Sequence, residues 1–266
     1  MQEQPVIEIR NLVKSFGGRR ILNGVNLKIY KGEVMVIMGG SGCGKSTLLR
    51  HMIGALEPDS GQVIIEGKDL NKLSQRELDK LRLKFGMLFQ SGGLIDYMTI
   101  KENISLPLKE HTNLAQNVID IIVKLKLNMV NMRGMGELLP SEISGGMKKR
   151  AGLARAIALD PAYVFYDEPT AGLDPVVAAV IDKLILDFSK KLQVTSIVVT
   201  HDMQSVFRIA TRIAMLHKGE IVQVGTPDEI KNSENPLVKQ FINGEPEGPI
   251  QILQKGDDYL EELTKK

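Results

Sequence analysis

Apolar and polar residues alternate near the start of the chain, whereas short, mostly apolar runs recur further along it. Residues 6–10 and 25–29 alternate, which predicts two half-buried antiparallel strands joined through glycine turns. The later runs are typical of parallel strands buried on both faces. These runs are residues 34–38, 85–89, 163–166 and 194–199. The order predicts an α/β fold with an antiparallel β subdomain.

The pattern changes between two of the apolar runs. From residue 91 to 143, glycines and prolines separate short segments with helical spacing. The clearest stripe with a period of 3.6 residues consists of Leu114, Val118, Ile121, Ile122 and Leu125. We expect a helical subdomain at about 91–160, inserted into a domain that covers 1–242. We expect the remaining tail, 243–266, to pack on a partner subunit, because it mixes Pro and Gly with apolar residues.

Composition narrows the class of protein. The chain has 266 residues, of which 43% are apolar and 25% charged, which suits one large globular domain with additions. Its formal net charge of +2 is spread along the chain, so we expect no nucleic-acid partner. It has one cysteine, no apolar run long enough to cross a bilayer and no signal-peptide pattern. We therefore expect a cytoplasmic location.

A glycine-rich segment after the first apolar run carries the strongest functional signal. It matches G-x-x-x-x-G-K-[ST] between a predicted strand and a predicted helix, the pattern of a phosphate-binding loop. The residues of this phosphate loop are Gly39, Gly40, Ser41, Gly42, Cys43, Gly44, Lys45, Ser46 and Thr47. Its glycines allow backbone N–H groups to turn towards a phosphate. We expect Lys45 to reach the β- and γ-phosphates, Ser46 to ligate Mg²⁺, Thr47 to lie near the α-phosphate and Cys43 to face away from the nucleotide.

Polar residues follow the other apolar runs, where open parallel sheets bind their ligands. Asp167 and Glu168 follow the third run; we expect the first to hold Mg²⁺ and the second to orient and polarise the attacking water. Gln90 ends the second run, and His201 follows the fourth, where its ring could donate a hydrogen bond to bound ATP. A turn residue at Gln90 and a structural histidine at His201 are the alternatives.

Three further segments combine possible binding residues with ordinary structural roles. Ser144, Gly145 and Gly146 begin a predicted helix, where free N–H groups bind an anion or the serine simply caps the helix. Phe16 could stack on a purine ring or cap the sheet. Asp174 stands at the start of the next predicted helix. The residues alone leave each alternative open.

Taken in order, these motifs resemble the ATP-binding cassette of ABC transporters, over roughly residues 6–230. The motifs that carry the resemblance are the phosphate loop, Gln90, residues 144–146, residues 167 and 168, residues 172–174, and His201. The resemblance implies a P-loop NTPase core that binds ATP and Mg²⁺ and hydrolyses ATP.

The resemblance also implies a role for each matching residue. Phe16 matches the aromatic residue that stacks on adenine, and Gln90 matches the glutamine that touches Mg²⁺ and relays to the membrane subunit. Glu168 matches the catalytic glutamate and His201 the switch histidine. The expected catalytic residues are therefore Lys45, Gln90, Glu168 and His201.

Residues 144–146 match the family's signature motif, which closes over ATP held by a second copy. The resemblance therefore implies a head-to-tail dimer of this chain, with Asp174 at the dimer seam. The usual signature is Leu-Ser-Gly-Gly-Gln, whereas this chain has Ile143 and Met147 at its two ends. With Leu-Phe-Gln-Ser-Gly at 88–92 and Leu-Pro-Ser-Glu at 139–142, the variant is similar to the ATPases of Mla (Mce-type) phospholipid transport systems.

The closer resemblance implies partners and a location. The partners are a membrane permease, a small STAS-domain protein and a periplasmic lipid-binding component, with the chain held by the permease at the cytoplasmic face of the inner membrane. Residues 91–112 would form the groove for a permease helix, although the apolar residues there could equally be subdomain core. The alternatives are an ABC transporter for another substrate, a non-transport cassette ATPase and a non-hydrolytic nucleotide-binding adaptor.

Overall fold

The computed structural model describes residues 4–250, which form two β-sheets with helices packed around them. The strands are β1 (Ile7–Phe16), β2 (Arg19–Ile29), β3 (Val34–Met38), β4 (Ser60–Ile65), β5 (Lys68–Asp69), β6 (Phe85–Leu88), β7 (Tyr163–Asp167), β8 (Thr195–Thr200), β9 (Arg212–His217) and β10 (Glu220–Gly225). The helices are α1 (Lys45–Met52), α2 (Gln75–Arg82), α3 (Ile100–His111), α4 (Gln116–Met129), α5 (Gly145–Ala156), α6 (Pro175–Leu192), α7 (Met203–Ile209), α8 (Pro227–Lys231) and α9 (Pro236–Asn243).

The two sheets confirm the expected α/β fold with an antiparallel β subdomain. The first sheet is antiparallel and has the strand order β2-β1-β4-β5. The second has the order β10-β9-β3-β8-β7-β6, in which only the edge strand β10 runs antiparallel to its neighbour. All residues of β3 and β8 are buried, as expected for parallel strands that are covered on both faces.

The first two strands are longer than their alternating segments predict. They are joined through Gly17 and Gly18, whose φ angles of 55° and 80° favour glycine. The pairing of β1 with β2 shifts register in three places, the first between Ile9 and Leu12. Each shift changes which side chains face the core, so the alternation of apolar and polar residues is interrupted within each strand.

The parallel register brings several strand ends to one edge of the second sheet. Met38 at the end of β3 pairs with Thr200 at the end of β8, and Asp167 at the end of β7 pairs with Val199. The phosphate loop, the Asp167-Glu168 pair and the segment at His201 therefore start from the same edge.

Helices α3, α4 and α5 lie between β6 and β7 in the chain, and α4 buries a different face from the predicted stripe. Ile119, Val123 and Leu127 are buried. The predicted stripe is exposed at Leu114, Val118, Ile121 and Leu125, and only Ile122 packs against the core. The helix thus carries two overlapping apolar stripes, and packing against α3 and α5 selects one of them.

The chain after α9 folds back on that helix. Gln240 is buried, and its amide oxygen accepts the Ile250 N–H at 2.7 Å while its amide nitrogen donates to the Ile250 carbonyl at 3.1 Å. The rest of the predicted tail, 251–266, lies outside the described residues. Within residues 4–250, every helix is too short or too polar to span a bilayer.

Candidate nucleotide-binding site

The phosphate loop follows the buried strand β3 and leads directly into α1. Gly44 occupies the cap position of α1 with a φ of 109°, so the first turn has no side-chain cap. A Cβ at Gly39 would overlap the carbonyl oxygen of Leu216, so this position requires glycine. The uncapped N–H groups and the positive end of the helix dipole make the loop a suitable anion site.

Lys45 lies between the loop and the carboxylate pair. Its side chain is only 7% exposed, and Nζ donates to the carbonyl oxygens of Gly39 at 2.9 Å and Gly40 at 3.1 Å. Nζ also lies 3.7 Å from Oε1 of Glu168. The ammonium is therefore held at the loop by two neutral acceptors, which an anionic ligand can replace.

Ser46 and Asp167 meet at the start of α1 and the end of β7. The Ser46 hydroxyl donates to Oδ1 of Asp167 at 2.9 Å. Both groups offer oxygen, the ligand type that Mg²⁺ prefers, and Mg²⁺ usually takes few protein ligands besides water and phosphate. Among residues 4–250, no three or more His, Cys, Asp or Glu side chains form a cluster suited to a metal.

The carboxylate of Glu168 is surrounded by hydrogen-bond donors. Oε1 lies 2.9 Å from Nδ1 of His201, and Oε2 accepts the Thr200 hydroxyl at 3.1 Å and the His201 backbone N–H at 3.4 Å. Glu168 has a φ of 48°, which is uncommon for a residue with a side chain. The structure thus brings Lys45, Glu168 and His201 together, although they are far apart in the chain.

With this geometry, the comparison with known sequences decides the family. The profile described as "ABC transporter" matches residues 22–171, more than half of the chain. The chain belongs to the ABC transporter family.

Three similar proteins illustrate the relationship. The intermembrane phospholipid transport system ATP-binding protein MlaF of Haemophilus influenzae is 43% identical over 98% of this chain and 98% of its own. The probable ribonucleotide transport ATP-binding protein mkl of Mycobacterium tuberculosis is 42% identical over 95% of this chain and 70% of its own. The dimeric post-hydrolysis structure of the cassette MJ0796 bound to ADP and Pi has a TM-score of 0.77 and 31% identity, covering 83% of this chain and 98% of that one. The chain is an ATP-binding cassette ATPase.

The signature residues of this cassette begin α5. Ser144 is the N-cap, and its hydroxyl accepts the Met147 N–H at 3.3 Å. Ser144 and Gly145 are exposed, whereas a Cβ at Gly146 would lie 2.5 Å from Cγ1 of Val177. Within residues 4–250, no hydrogen bond connects Ser144 to the phosphate loop.

Three other predicted binding residues have local contacts. Asp174 caps α6, with Oδ1 accepting the N–H groups of Val176 and Val177, each at 3.0 Å. Phe16 is half exposed, and Nζ of Lys14 lies 5.6 Å from its ring centroid. Cys43 is partly buried, which raises the pKa of its thiol.

Gln90 is exposed and follows the end of β6, so it lies at the same sheet edge as Asp167. The segment after it is held from within by Asn103, which is fully buried. Oδ1 of Asn103 accepts the Ile95 N–H at 2.7 Å, and Nδ2 lies 3.0–3.1 Å from three backbone carbonyls in the same segment. Tyr97, at 82% exposed, projects from this segment, whereas Leu94 packs against the core.

Sequence reasoning missed three polar residues that connect the motifs. They are Asn103, Lys149 and Arg155. Nη1 of Arg155 donates to the Gly93 carbonyl at 2.6 Å, and Nζ of Lys149 donates to the Glu168 carbonyl at 2.9 Å. The basic run at 148–150 looks like a solvated helix face, yet Lys149 is buried. Lys149 follows Gly146 by three residues, so the two share one face of α5, and the close approach of Gly146 to Val177 shows that this face is buried.

Proposed function

We propose that this chain is the ATP-hydrolysing subunit of an ABC transporter that moves phospholipid through a membrane permease and maintains outer-membrane lipid asymmetry. One observation supports ATP hydrolysis: Lys45 and His201 both approach Glu168, beside the Ser46-Asp167 pair. The MlaF relative, which matches along nearly its whole length, supports phospholipid as the substrate. The mkl relative makes ribonucleotide the second candidate.

In this proposal ATP binds along the phosphate loop. Adenine stacks on Phe16, and the phosphates accept hydrogen bonds from backbone N–H groups of residues 39–47. Lys45 exchanges its bonds to the carbonyls of Gly39 and Gly40 for the β- and γ-phosphate oxygens, a stronger charge-assisted contact.

Hydrolysis is an in-line transfer of the γ-phosphoryl group to water. Glu168 orients the water and accepts its proton while the water oxygen bonds to the γ-phosphorus. The bond between that phosphorus and the bridging oxygen breaks, and ADP leaves with the bonding electron pair. His201 holds the carboxylate through Nδ1, and Lys45 stabilises the charge that develops on the phosphates.

The residues present fit Mg²⁺, since Ser46 and Asp167 already meet and Gln90 lies at the same sheet edge. When bound, Mg²⁺ neutralises negative charge on the phosphates. We assign Ser46, Asp167 and Gln90 to hold it, and Gln90 also to relay its binding to the membrane subunit.

Two copies complete each site. Ser144, Gly145 and Gly146 of one copy close over the ATP held by the other, and Asp174 lies at the seam between them. The exposed serine-glycine turn supports this arrangement, as does the dimeric structure of MJ0796. ATP contacts both copies only when they are closed, so its binding energy drives closure and hydrolysis reopens the dimer.

We propose that 1–242 is the ATP-binding domain, with a helical subdomain at about 91–160, and that 243–266 packs on a partner subunit. The segment around Tyr97 receives a cytoplasmic helix of the permease. A small STAS-domain protein and, through the permease, a periplasmic lipid-binding component complete the complex at the cytoplasmic face of the inner membrane.

The deciding experiment is purification of the tagged chain with its native membrane partners, followed by mass spectrometry of bound small molecules. We expect co-purifying glycerophospholipid and ATP hydrolysis that depends on Glu168. Bound ribonucleotide other than ATP or ADP, without enriched lipid, would replace phospholipid by the second candidate. Absence of ATP hydrolysis in the intact complex would contradict the ATPase assignment.

A further inference from the structure

The buried lysine of the signature helix has an unusual environment. Lys149 lies in the second turn of α5 and is 4% exposed. Nζ donates to the backbone carbonyl oxygen of Glu168 at 2.9 Å. Among residues 4–250, no carboxylate forms an ion pair with it. Burial lowers the pKa of Lys149, although the nearby carboxylates of Glu168 and Asp167 act in the opposite direction.

A merely structural role explains this lysine poorly. Burying an ammonium group costs more than burying an apolar side chain of similar length, unless its interactions offset the loss of hydration. Lys149 donates its hydrogen bond to a single carbonyl oxygen, that of Glu168, whose side chain supplies the carboxylate at the centre of the candidate site.

The backbone of Glu168 is held on both sides. Its N–H donates to the Val199 carbonyl at 2.9 Å, which fixes it to β8. Its carbonyl accepts the Ala171 N–H at 3.3 Å and the ammonium of Lys149. With a φ of 48°, Glu168 has a conformation that must be maintained by such contacts. The direction of the side chain depends on that conformation, so a loss of the Lys149 bond reaches the carboxylate.

We propose that Lys149 is a positioning residue for hydrolysis: its ammonium holds the Glu168 carbonyl and so keeps the carboxylate aimed at the attacking water. This inference rests on the proposed role of Glu168. It also connects two motifs of one chain, because Ser144, the N-cap of α5, is assigned to the nucleotide of the second copy. Lys149 acts through Glu168 and touches no reacting atom.

The test is steady-state ATP hydrolysis by the full-length chain. Lys149→Met keeps a long side chain but removes the donor, and we expect kcat to fall roughly tenfold, the effect of about one hydrogen bond, with an unchanged KM for ATP. Lys149→Gln keeps a neutral donor and should recover most of kcat. Lys148→Met, at the neighbouring and partly exposed lysine, is the matched control and should retain wild-type kcat.

A double variant separates positioning from general damage. Adding Lys149→Met to Glu168→Gln should lower kcat no further, because the lysine acts through the missing carboxylate. The proposal is overturned if the two reductions in kcat multiply, if Lys149→Met retains wild-type kcat, or if Lys149→Gln lowers kcat as much as Lys149→Met. If Lys149→Met does not fold, Lys149→Asn replaces it, since its amide is too short to reach Glu168, and wild-type kcat there is equally decisive.

The same measurements distinguish the catalytic role of Glu168 from the positioning role of Lys149. Wild-type hydrolysis by Glu168→Gln would reject the catalytic role of Glu168 and, with it, the positioning role. Slow hydrolysis by Glu168→Gln combined with wild-type hydrolysis by Lys149→Met would reject the positioning role alone.

Discussion

At the scale of single residues, the carboxylate of Glu168 is the centre of the site. Lys45, Thr200 and His201 all approach it, and its own backbone is fixed by β8 and Lys149. A carboxylate that accepts several hydrogen bonds has little freedom to rotate, which is the arrangement needed to orient one water molecule. Substitutions of Glu168 and of Lys45 should therefore affect different steps, the first the hydrolysis of ATP and the second its binding.

Glu168→Gln should bind ATP but hydrolyse it roughly 10²- to 10⁴-fold more slowly, because an amide cannot accept the proton of the attacking water. The closed dimer should accumulate with ATP. Steady-state hydrolysis and size-exclusion chromatography with ATP and Mg²⁺ measure the two effects. Near-normal turnover in the assembled complex would contradict the assigned role.

Lys45→Ala should fail earlier, at nucleotide binding. The loss of a charged donor to the phosphates should weaken ATP affinity by roughly 10- to 100-fold, corresponding to about 1.5–3 kcal/mol. Isothermal titration calorimetry measures the affinity, with the exposed Lys28→Ala as the control. Equal affinity in the two variants would argue against a phosphate contact by Lys45.

At the scale of elements, buried polar groups and helix packing shape the surfaces around the site. Asn103 on α3 uses both ends of its amide to hold the segment between Gln90 and α3. Helix α4 buries one of its two apolar stripes and leaves the other exposed. An exposed apolar surface of this kind commonly marks a protein contact.

Asn103→Ala should lower the free energy of unfolding by about 1–3 kcal/mol, because it leaves buried backbone groups without partners. The segment around Tyr97 should also lose its defined conformation and, in our proposal, its affinity for the permease. Urea denaturation and co-purification of the permease measure these effects. Asn128→Ala, at an exposed position on α4, is the control and should change stability by less than about 0.5 kcal/mol.

The two stripes of α4 can be distinguished by charge substitution. Ile121→Asp, at a position that is 57% exposed, should change the free energy of unfolding by less than about 0.5 kcal/mol. Val123→Asp, at a buried position, should lower it by roughly 3 kcal/mol or more, because the carboxylate loses its hydration. Thermal melting of both variants shows which face of α4 is buried. A larger loss of stability in Ile121→Asp than in Val123→Asp would place the predicted stripe in the core.

At the scale of the whole molecule, the phosphate loop and the signature turn start from different parts of the fold, and in our proposal they serve two different nucleotide sites. The phosphate loop and its carboxylates start from one edge of the parallel sheet, whereas the signature turn begins a helix that lies between β6 and β7 in the chain. The chain after α9 returns to Gln240, and Gly40–Cys43 line a cavity of about 920 Å³ together with Phe241 and Ile250. The end of the described chain therefore lies beside the phosphate loop.

Two truncations test the proposed role of the tail. Removal of residues after Ile250 should weaken dimer formation or partner binding while leaving the fold and the Gln240 contacts intact, because it deletes only the tail beyond them. Removal of residues after Gly244 also deletes the Ile250 contacts and should lower the melting temperature as well. Analytical ultracentrifugation with ATP measures the dimer; unchanged dimerisation, partner binding and transport in both truncations would refute the tail assignment.

Much of the site could be predicted from the sequence because its motifs are local. The phosphate loop needs only adjacent glycines, a lysine and a serine between a strand and a helix, and the Asp167-Glu168 pair follows directly on a buried strand. The full lengths of β1 and β2 could not be predicted, because register shifts interrupt the alternation of apolar and polar residues along them.

By itself, the sequence determined the fold class, the family resemblance and the identity of the candidate site residues, because each motif is encoded by neighbours in the chain. Only the tertiary structure decided the buried face of α4, the role of Asn103 and the bond from Lys149 to Glu168. Each of these depends on segments distant in sequence that compete for the same space. A local period or a run of charges cannot specify which of two possible contacts is made.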